Sequence, residues 1–153
     1  MSPPDPSKTY YIRNNYLDQY LALNEFDLVV ERNKVADGRH QWRFVPVHGH
    51  GATPAGYYIQ NVATNKFLCL RKFTKSSDGM EDAWACTTPQ FFKIQPQAGH
   101  FWIIFIDDAT TQQQKYYLNC YINVFDFCNY HAYHTTNGCK EGSRRQWAFE
   151  PTT

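Results

Sequence analysis

A short phrase is written three times in this 153-residue chain: RHQWRFVP from Arg39 to Pro46, PQFFKIQP from Pro89 to Pro96, and RRQWAFEP from Arg144 to Pro151. Aligned on their closing prolines, the three copies bring Trp42, Phe92 and Trp147 into one column and Phe44, Ile94 and Phe149 into a second. A phrase that returns at near-regular intervals demands a fold with three similar parts. Each part also has a matching beginning: TYYIRNN from Thr9, GYYIQNV from Gly56, and HFWIIFI from His100, the last with Trp102 in the place of Tyr11 and Tyr58. Next come YLAL (Tyr20 to Leu23), FLCL (Phe67 to Leu70) and YLNC (Tyr117 to Cys120). A further piece follows in each: DLVVERN from Asp27, DAWACTT from Asp82 and, more loosely, DFCNYHAY from Asp126.

Inside these pieces the alternation has period two, as a half-buried strand requires. No segment sustains a 3.6-residue period over helical length, and Asp37-Gly38, Asp78-Gly79 and Asn137-Gly138 punctuate the strands as turns. The chain is therefore all-β. Four short strands cannot bury their apolar face alone, whereas three such units about an axis close a small barrel and cap it with hairpins. The expected fold is a β-trefoil: three four-stranded repeats around a pseudo-threefold axis, at about 8–47, 56–97 and 100–153, forming a single domain over 1–153. The repeated aromatics then point inward as core, where each contributes a few kcal/mol. The proline after them, unable to donate to a sheet ladder, is expected to end each last strand.

Composition narrows the function classes. With 42% apolar, 17% aromatic and 19% charged residues and a formal charge of +1, this is a folded, nearly neutral protein. A nucleic-acid or anionic-membrane partner calls for a basic stripe, and the basic residues are scattered. MSPPDPSKTYY lacks the layout of a secretion signal, and no run reaches about 18 apolar residues, so membrane insertion is not expected and a cytoplasmic location is. Five cysteines without a CxxC pair do not make a zinc site. His131 and His134, three apart on a strand or loop, do not share a face as they would on a helix, and Asp107-Asp108 reads as a solvated turn rather than a calcium site. No metal or cofactor is implied. Cys128 with His131, or Cys139 with His134, lacks an orienting third group and an oxyanion hole, so the chain reads as a non-enzyme.

The three copies resemble the ricin-B-like β-trefoil lectins, especially the short single-domain ones of fungi, over the chain from about Lys8 onward. Those lectins carry Gln-x-Trp near the end of each repeat. Gln90-Phe91-Phe92 keeps that spacing with Phe for Trp, while Gln41 and Gln146 directly precede their tryptophans. The resemblance implies sugar binding. It places an acid on the second strand, in a Leu-Asp-Leu-like step, to accept hydrogen bonds from two sugar hydroxyls, with an aromatic side chain stacked on the sugar's apolar face. Carried over, the acid position falls on Ala22 in LAL, Cys69 in LCL and Asn119 in LNC. The polar position before Gln-x-Trp falls close to Arg39, Pro89 and Arg144. Only the third repeat keeps a polar anchor, so the sites of the first two are expected to be lost. The resemblance also implies a bridge between Cys69 and Cys86, worth about 3 kcal/mol by chain entropy. In a reducing cytosol the pair stays reduced.

The third repeat is also the irregular one. It has extra residues in its first hairpin (Asp107 to Lys115) and more between Cys120 and Trp147. Insertions that spare a core repeat belong to loops, where binding resides. One of them, CNYHAYHTTNG from Cys128 to Gly138, offers Tyr130 and Tyr133 for stacking and Asn129, His131, His134 and Asn137 for hydrogen bonding. The expected function is a carbohydrate-binding lectin with one principal glycan site in the third repeat, built on Asn119 and these residues, with a role in defence. Its partners are glycans or glycoconjugates, and agglutination by one site per chain requires a homodimer. The alternative is a β-trefoil protease inhibitor acting through protruding loops such as VHGHGATPAG, Val47 to Gly56.

Overall fold

The structure, a computed structural model, describes residues 2–26, 29–70, 80–108, 114–120, 128–133 and 145–152. Among them are twelve strands, four to each sequence repeat. The first unit holds β1 (Tyr10–Asn14), β2 (Tyr20–Leu23), β3 (Val29–Arg32) and β4 (Trp42–His48). The second holds β5 (Pro54–Asn61), β6 (Phe67–Leu70), β7 (Met80–Cys86) and β8 (Lys93–Gln97). The third holds β9 (Phe101–Asp108), β10 (Gln114–Cys120), β11 (Cys128–Tyr133) and β12 (Trp147–Pro151). A 3₁₀ turn, Gly38–His40, precedes β4.

Six strands close a barrel. Within each unit the first strand touches the last at one pair: Tyr10 with Trp42, Tyr57 with Phe92, Trp102 with Trp147. Between units the last strand of one pairs at length with the first strand of the next: β4 with β5, β8 with β9, and β12 with β1. The middle strands pair as hairpins, β2 with β3, β6 with β7 and β10 with β11, and form the cap. This is the β-trefoil.

Packing explains the repeated phrase. Trp42, Phe92 and Trp147 are wholly buried, as are Phe44 and the matching Ile12, Ile59 and Ile104, while Ile94 and Phe149 pack against them partly buried. The Phe44 ring lies 4.6 Å from that of Phe149, and both meet Tyr10 edge-on, at 5.7 and 6.5 Å. Trp102 stacks on Phe149 at 5.6 Å. A barrel this narrow is filled by such side chains. The two tryptophans add a polar function: the Trp42 indole donates to the Leu21 carbonyl at 2.9 Å, and that of Trp147 donates to the Leu118 carbonyl at 3.1 Å. Each indole thus ties its barrel strand to the cap hairpin of its unit. Phe92 has no such donor.

Strand pairing corrects the sequence alignment at its weakest point. Trp102 faces Trp147 and Pro96 where Tyr57 faces Phe92 and Pro46, so Trp102 is the counterpart of Tyr10 and Tyr57 rather than of Tyr11 and Tyr58. Consecutive tyrosines in the first two units hide a one-residue slip. The corrected register sets Ile106 where the others have Asn14 and Asn61, and those two asparagines are fully buried. Asn14 Oδ1 accepts from the backbone N–H groups of Tyr16 and Leu17, and Asn61 Oδ1 accepts from those of Ala63 and Thr64. Both turns are completed by a residue at positive φ, Asp18 or Asn65, of the two types that tolerate it. With isoleucine in place of asparagine the third unit has no such acceptor at this position, and its first hairpin is longer in sequence.

Further expectations change at the prolines and in the third unit. Pro46 and Pro96 do not end their strands, which run on to His48 and Gln97. The Gln41 carbonyl accepts from Val62, so odd-numbered residues of β4 turn their backbone groups toward β5 and Pro46 turns its nitrogen away. Beyond Trp42 that side of β4 pairs with no described strand, and a missing donor there costs nothing. From Cys128 to Tyr133 the chain is strand, as the further strand of the third repeat predicts and not the inserted loop that the same residues also suggest, and Asp107-Asp108 lies in β9 rather than in a turn. The Cys69–Cys86 pair is disulfide-bonded across β6 and β7. One glycine is required by close approach: a Cβ on Gly56 would strike the Phe91 ring and the Phe92 carbonyl.

The joint between the chain's two ends is reinforced outside the barrel. Glu150 on β12 pairs with Arg13 Nε at 3.1 Å, accepts from the Tyr20 hydroxyl at 2.8 Å, and lies 3.7 Å from Lys34 Nζ. Lys34 also sits over the Tyr11 ring at 4.6 Å. Burial, and next the hydrogen bond to Glu150, push the Tyr20 phenol up to about 12 from its ordinary 10.0. A folded value above the unfolded one means stability that is complete below pH 10.0 and lost as pH rises through about 12. Alkaline denaturation of the wild type should therefore steepen in that window, and Tyr20→Phe should flatten the pH dependence there; identical profiles would remove Tyr20 from the joint. Trp42→Phe removes the indole N–H from the Leu21 carbonyl and part of a wholly buried ring, so guanidinium melts should show a loss of at least about 1–3 kcal/mol.

Candidate functional site

The first unit holds a cleft of about 280 Å³ beside its cap hairpin, lined by Ala22, Leu23, Asn24, Asn33, Val35, Asp37, Arg39 and His40. Its floor is apolar and closed: Ala22 and Leu23, consecutive on β2, are each 2% exposed. Its wall is the 3₁₀ turn, set by local capping. Asp37 Oδ1 accepts from the Arg39 N–H at 2.8 Å, and the His40 N–H donates to the Asp37 carbonyl at 2.9 Å. Gly38 sits close to the second unit: a Cβ there would lie 3.1 Å from the Ala63 nitrogen, so a larger residue would have to displace that contact by a few tenths of an ångström. Arg39 is held at both ends: its Nη1 donates to the Asn24 carbonyl at 3.0 Å, and its own carbonyl accepts from Asn61 Nδ2 at 3.1 Å. The wall is thus tied to the cap hairpin on one side and to the second unit on the other.

Threefold equivalence extends this geometry to the other units. Leu21, Leu68 and Leu118 are fully buried at matching positions, so Ala22, Cys69 and Asn119 correspond, as the sequence predicts. The side chain at the position is apolar in the first unit and consumed by the Cys69–Cys86 bridge in the second, where Cys69 is buried. In the third unit Asn119 lies on β10 in register with Asn129 on β11, with Tyr117 opposite His131 and Lys115 opposite Tyr133. By strand alternation Asn119, Asn129, His131 and Tyr133 fall on one face of the hairpin, and Tyr130 falls on the other, opposite Leu118. Tyr130 thus parts from the expected set. His134 and Asn137 lie outside the described residues. β11 also pairs with β7, Asn129 with Asp82 and His131 with Met80, which joins the caps of the second and third units.

The residues missed by sequence are those of the first cleft: Asn24, Asn33, Val35 and Asp37. Ala22 suggested a lost site because it removes the acid, but a missing side chain does not remove the concavity formed by the hairpin and the 3₁₀ turn. The Asp37-Gly38 pair was the available signal, and it reads equally well as an ordinary turn. Among the described residues no three histidine, cysteine or acidic side chains come together in a metal-binding group, and no helix is long and apolar enough to cross a membrane.

Comparison with known proteins places this architecture. No protein-family model and no curated protein matches the sequence. Solved structures do match. A Macrolepiota procera ricin B-like lectin in complex with lactose superposes with a TM-score of 0.70 at 15% identity, over 97% of this chain and 99% of that one. The Rhizoctonia solani agglutinin gives 0.71 at 17% identity, over 99% and 98%. The fold also occurs within larger enzymes: a GlcNAcα1-4Gal-releasing endo-β-galactosidase from Clostridium perfringens matches with a TM-score of 0.66 at 14% identity, over 95% of this chain and 33% of that one. The chain therefore shares the β-trefoil architecture of ricin B-like lectins across nearly its whole length, at identities that establish the fold alone.

Proposed function

We propose that this protein binds carbohydrate, as a lectin with its principal glycan site on the cap of the third unit. The observation that carries the reading is positional. In the first unit the residue at Ala22 borders an open cleft, and the equivalent position in the third unit is Asn119, paired with Asn129 on the neighbouring strand. Two asparagines at paired register positions carry both acceptors and donors for a pair of sugar hydroxyls, which an alanine or a bridged cysteine does not. Tyr133 is the stacking candidate on the same face, with His131, His134 and Asn137 as further polar partners and Tyr130 beyond the hairpin's other face. The structural neighbour bound to lactose supports the ligand class.

In this reading the protein acts by binding rather than catalysis, and its biological role is defence, as the resemblance to fungal lectins implies. A bridge between Cys69 and Cys86 is of the kind that forms in oxidising surroundings, which weighs against a reducing cytoplasm as its working compartment. The protease-inhibitor alternative has one observation in its favour: the connection between β4 and β5 is exposed throughout from His48 to Thr53. It carries no lysine or arginine for a trypsin-like specificity pocket.

Titration with lactose, or with the best ligand from a glycan screen, tests the site. Asn119→Ala should weaken binding about tenfold, equivalent to roughly 1.4 kcal/mol, with Tyr133→Ala weakening it comparably. Unchanged affinity in both variants would move the site away from the third unit.

A further inference from the structure

The cleft of the first unit contains a group that a neutral sugar does not need. The Arg39 guanidinium is half-buried in its wall, and among the described residues no carboxylate stands within ion-pair distance of it. Its Nη1 donates to the carbonyl of Asn24 at 3.0 Å and reaches that of Leu23 at 3.5 Å, while Nε and Nη2 make no bond among the described residues. One end of the fork is anchored and the other is open. A guanidinium fixed in this way is prepared for a planar anion at little further entropic cost.

The remaining walls say what kind of anion fits. Val35, half exposed, gives an apolar surface for one face of a ring above the buried Ala22 and Leu23, and Asn33 and Asp37 stand exposed at the rim. Asp37 does not repel an anion strongly, because its Oδ1 is committed to the Arg39 N–H and water surrounds the rest. At the position where the resemblance implies an acid, this unit has alanine, so among the described residues no buried carboxylate opposes a carboxylate on the ligand. About 280 Å³ lies just under the roughly 300 Å³ at which pockets for larger molecules begin, so one ring fits.

We propose that this cleft binds the terminal acidic sugar of a glycan, a sialic or uronic acid, with its carboxylate on Arg39 and its hydroxyls toward Asn33 and Asp37. The proposal rests on the carbohydrate-binding reading but concerns a different unit, different residues and a different class of sugar from the third-unit site. It makes the loss of the acid at Ala22 a change of specificity.

Methyl NMR of the full chain tests it without a mutation. Sialyllactose or glucuronic acid should shift the Ala22, Leu23 and Val35 methyl signals saturably, and added salt should weaken the effect. The two acids distinguish the sources of the carboxylate. Lactose and inorganic phosphate, added separately, should leave those signals in place. Arg39→Gln should weaken acidic-sugar binding about tenfold while third-unit binding of a neutral sugar persists. Because Arg39 also braces the cap, Asn33→Ala serves as a second variant, with about a threefold loss and an unchanged melting curve. Equal shifts with lactose, phosphate binding as tight as the acidic sugars, or full affinity in Arg39→Gln would each overturn the assignment. If lactose binds elsewhere but neither acidic sugar moves these methyls, this proposal alone fails. If no sugar binds anywhere, the carbohydrate-binding reading fails with it.

Discussion

Everything in this molecule depends on closing the barrel between its two ends. β1 and β12 pair over five consecutive residues, from Tyr10 with Pro151 to Asn14 with Trp147, and without that ladder the sheet would have two open edges and no third side to its core. The register of this ladder brings Phe149 against Tyr10, Phe44 and Trp102, so one pairing joins aromatics of the first and third units, and Phe44 in turn meets Tyr57 of the second at 5.9 Å. Thr9 and Thr152 bond at both backbone and hydroxyl, and Glu150 draws Arg13, Tyr20 and Lys34 to the same seam. The polar contacts lie where water enters; the aromatic contacts lie where it does not.

The barrel supports the cap through two kinds of bond. Indoles reach outward from the core to the Leu21 and Leu118 carbonyls, and buried asparagines hold the first hairpin turn of units one and two. Since both kinds are side-chain bonds, a unit can lack one without the others. The second unit has Phe92 where the others have an indole, and the third has Ile106 where the others have asparagine. The cap positions Ala22, Cys69 and Asn119 have likewise diverged to a bare methyl, a disulfide and an amide. A common frame therefore presents three different chemistries at one repeated place.

The fold was legible because repetition is a property of spacing, and spacing survives when residues change. Trp42, Phe92 and Trp147 announced the barrel, and the strands fell within a few residues of the alternating pieces. What the sequence hid was register at consecutive aromatics, where Trp102 aligns with either tyrosine equally well, and the direction of a proline's nitrogen, which depends on which side of the strand is paired. The site was less legible for a related reason. Asn119 was visible as a polar residue at a repeated position, whereas the first cleft is made by a 3₁₀ turn packing beside a hairpin, and neither Asp37 nor Arg39 reveals that concavity by type. Sequence indicates which side chains a unit has; the cleft depends on where the backbone leaves room.

The central claim is that this trefoil works by holding sugars on its cap. A glycan array run beside a panel of papain-like and trypsin-like proteases tests it most directly. Saturable binding to a defined set of glycans, with no protease inhibited at sub-micromolar concentration, is the predicted result. An empty array together with inhibition through the exposed β4–β5 connection would contradict it.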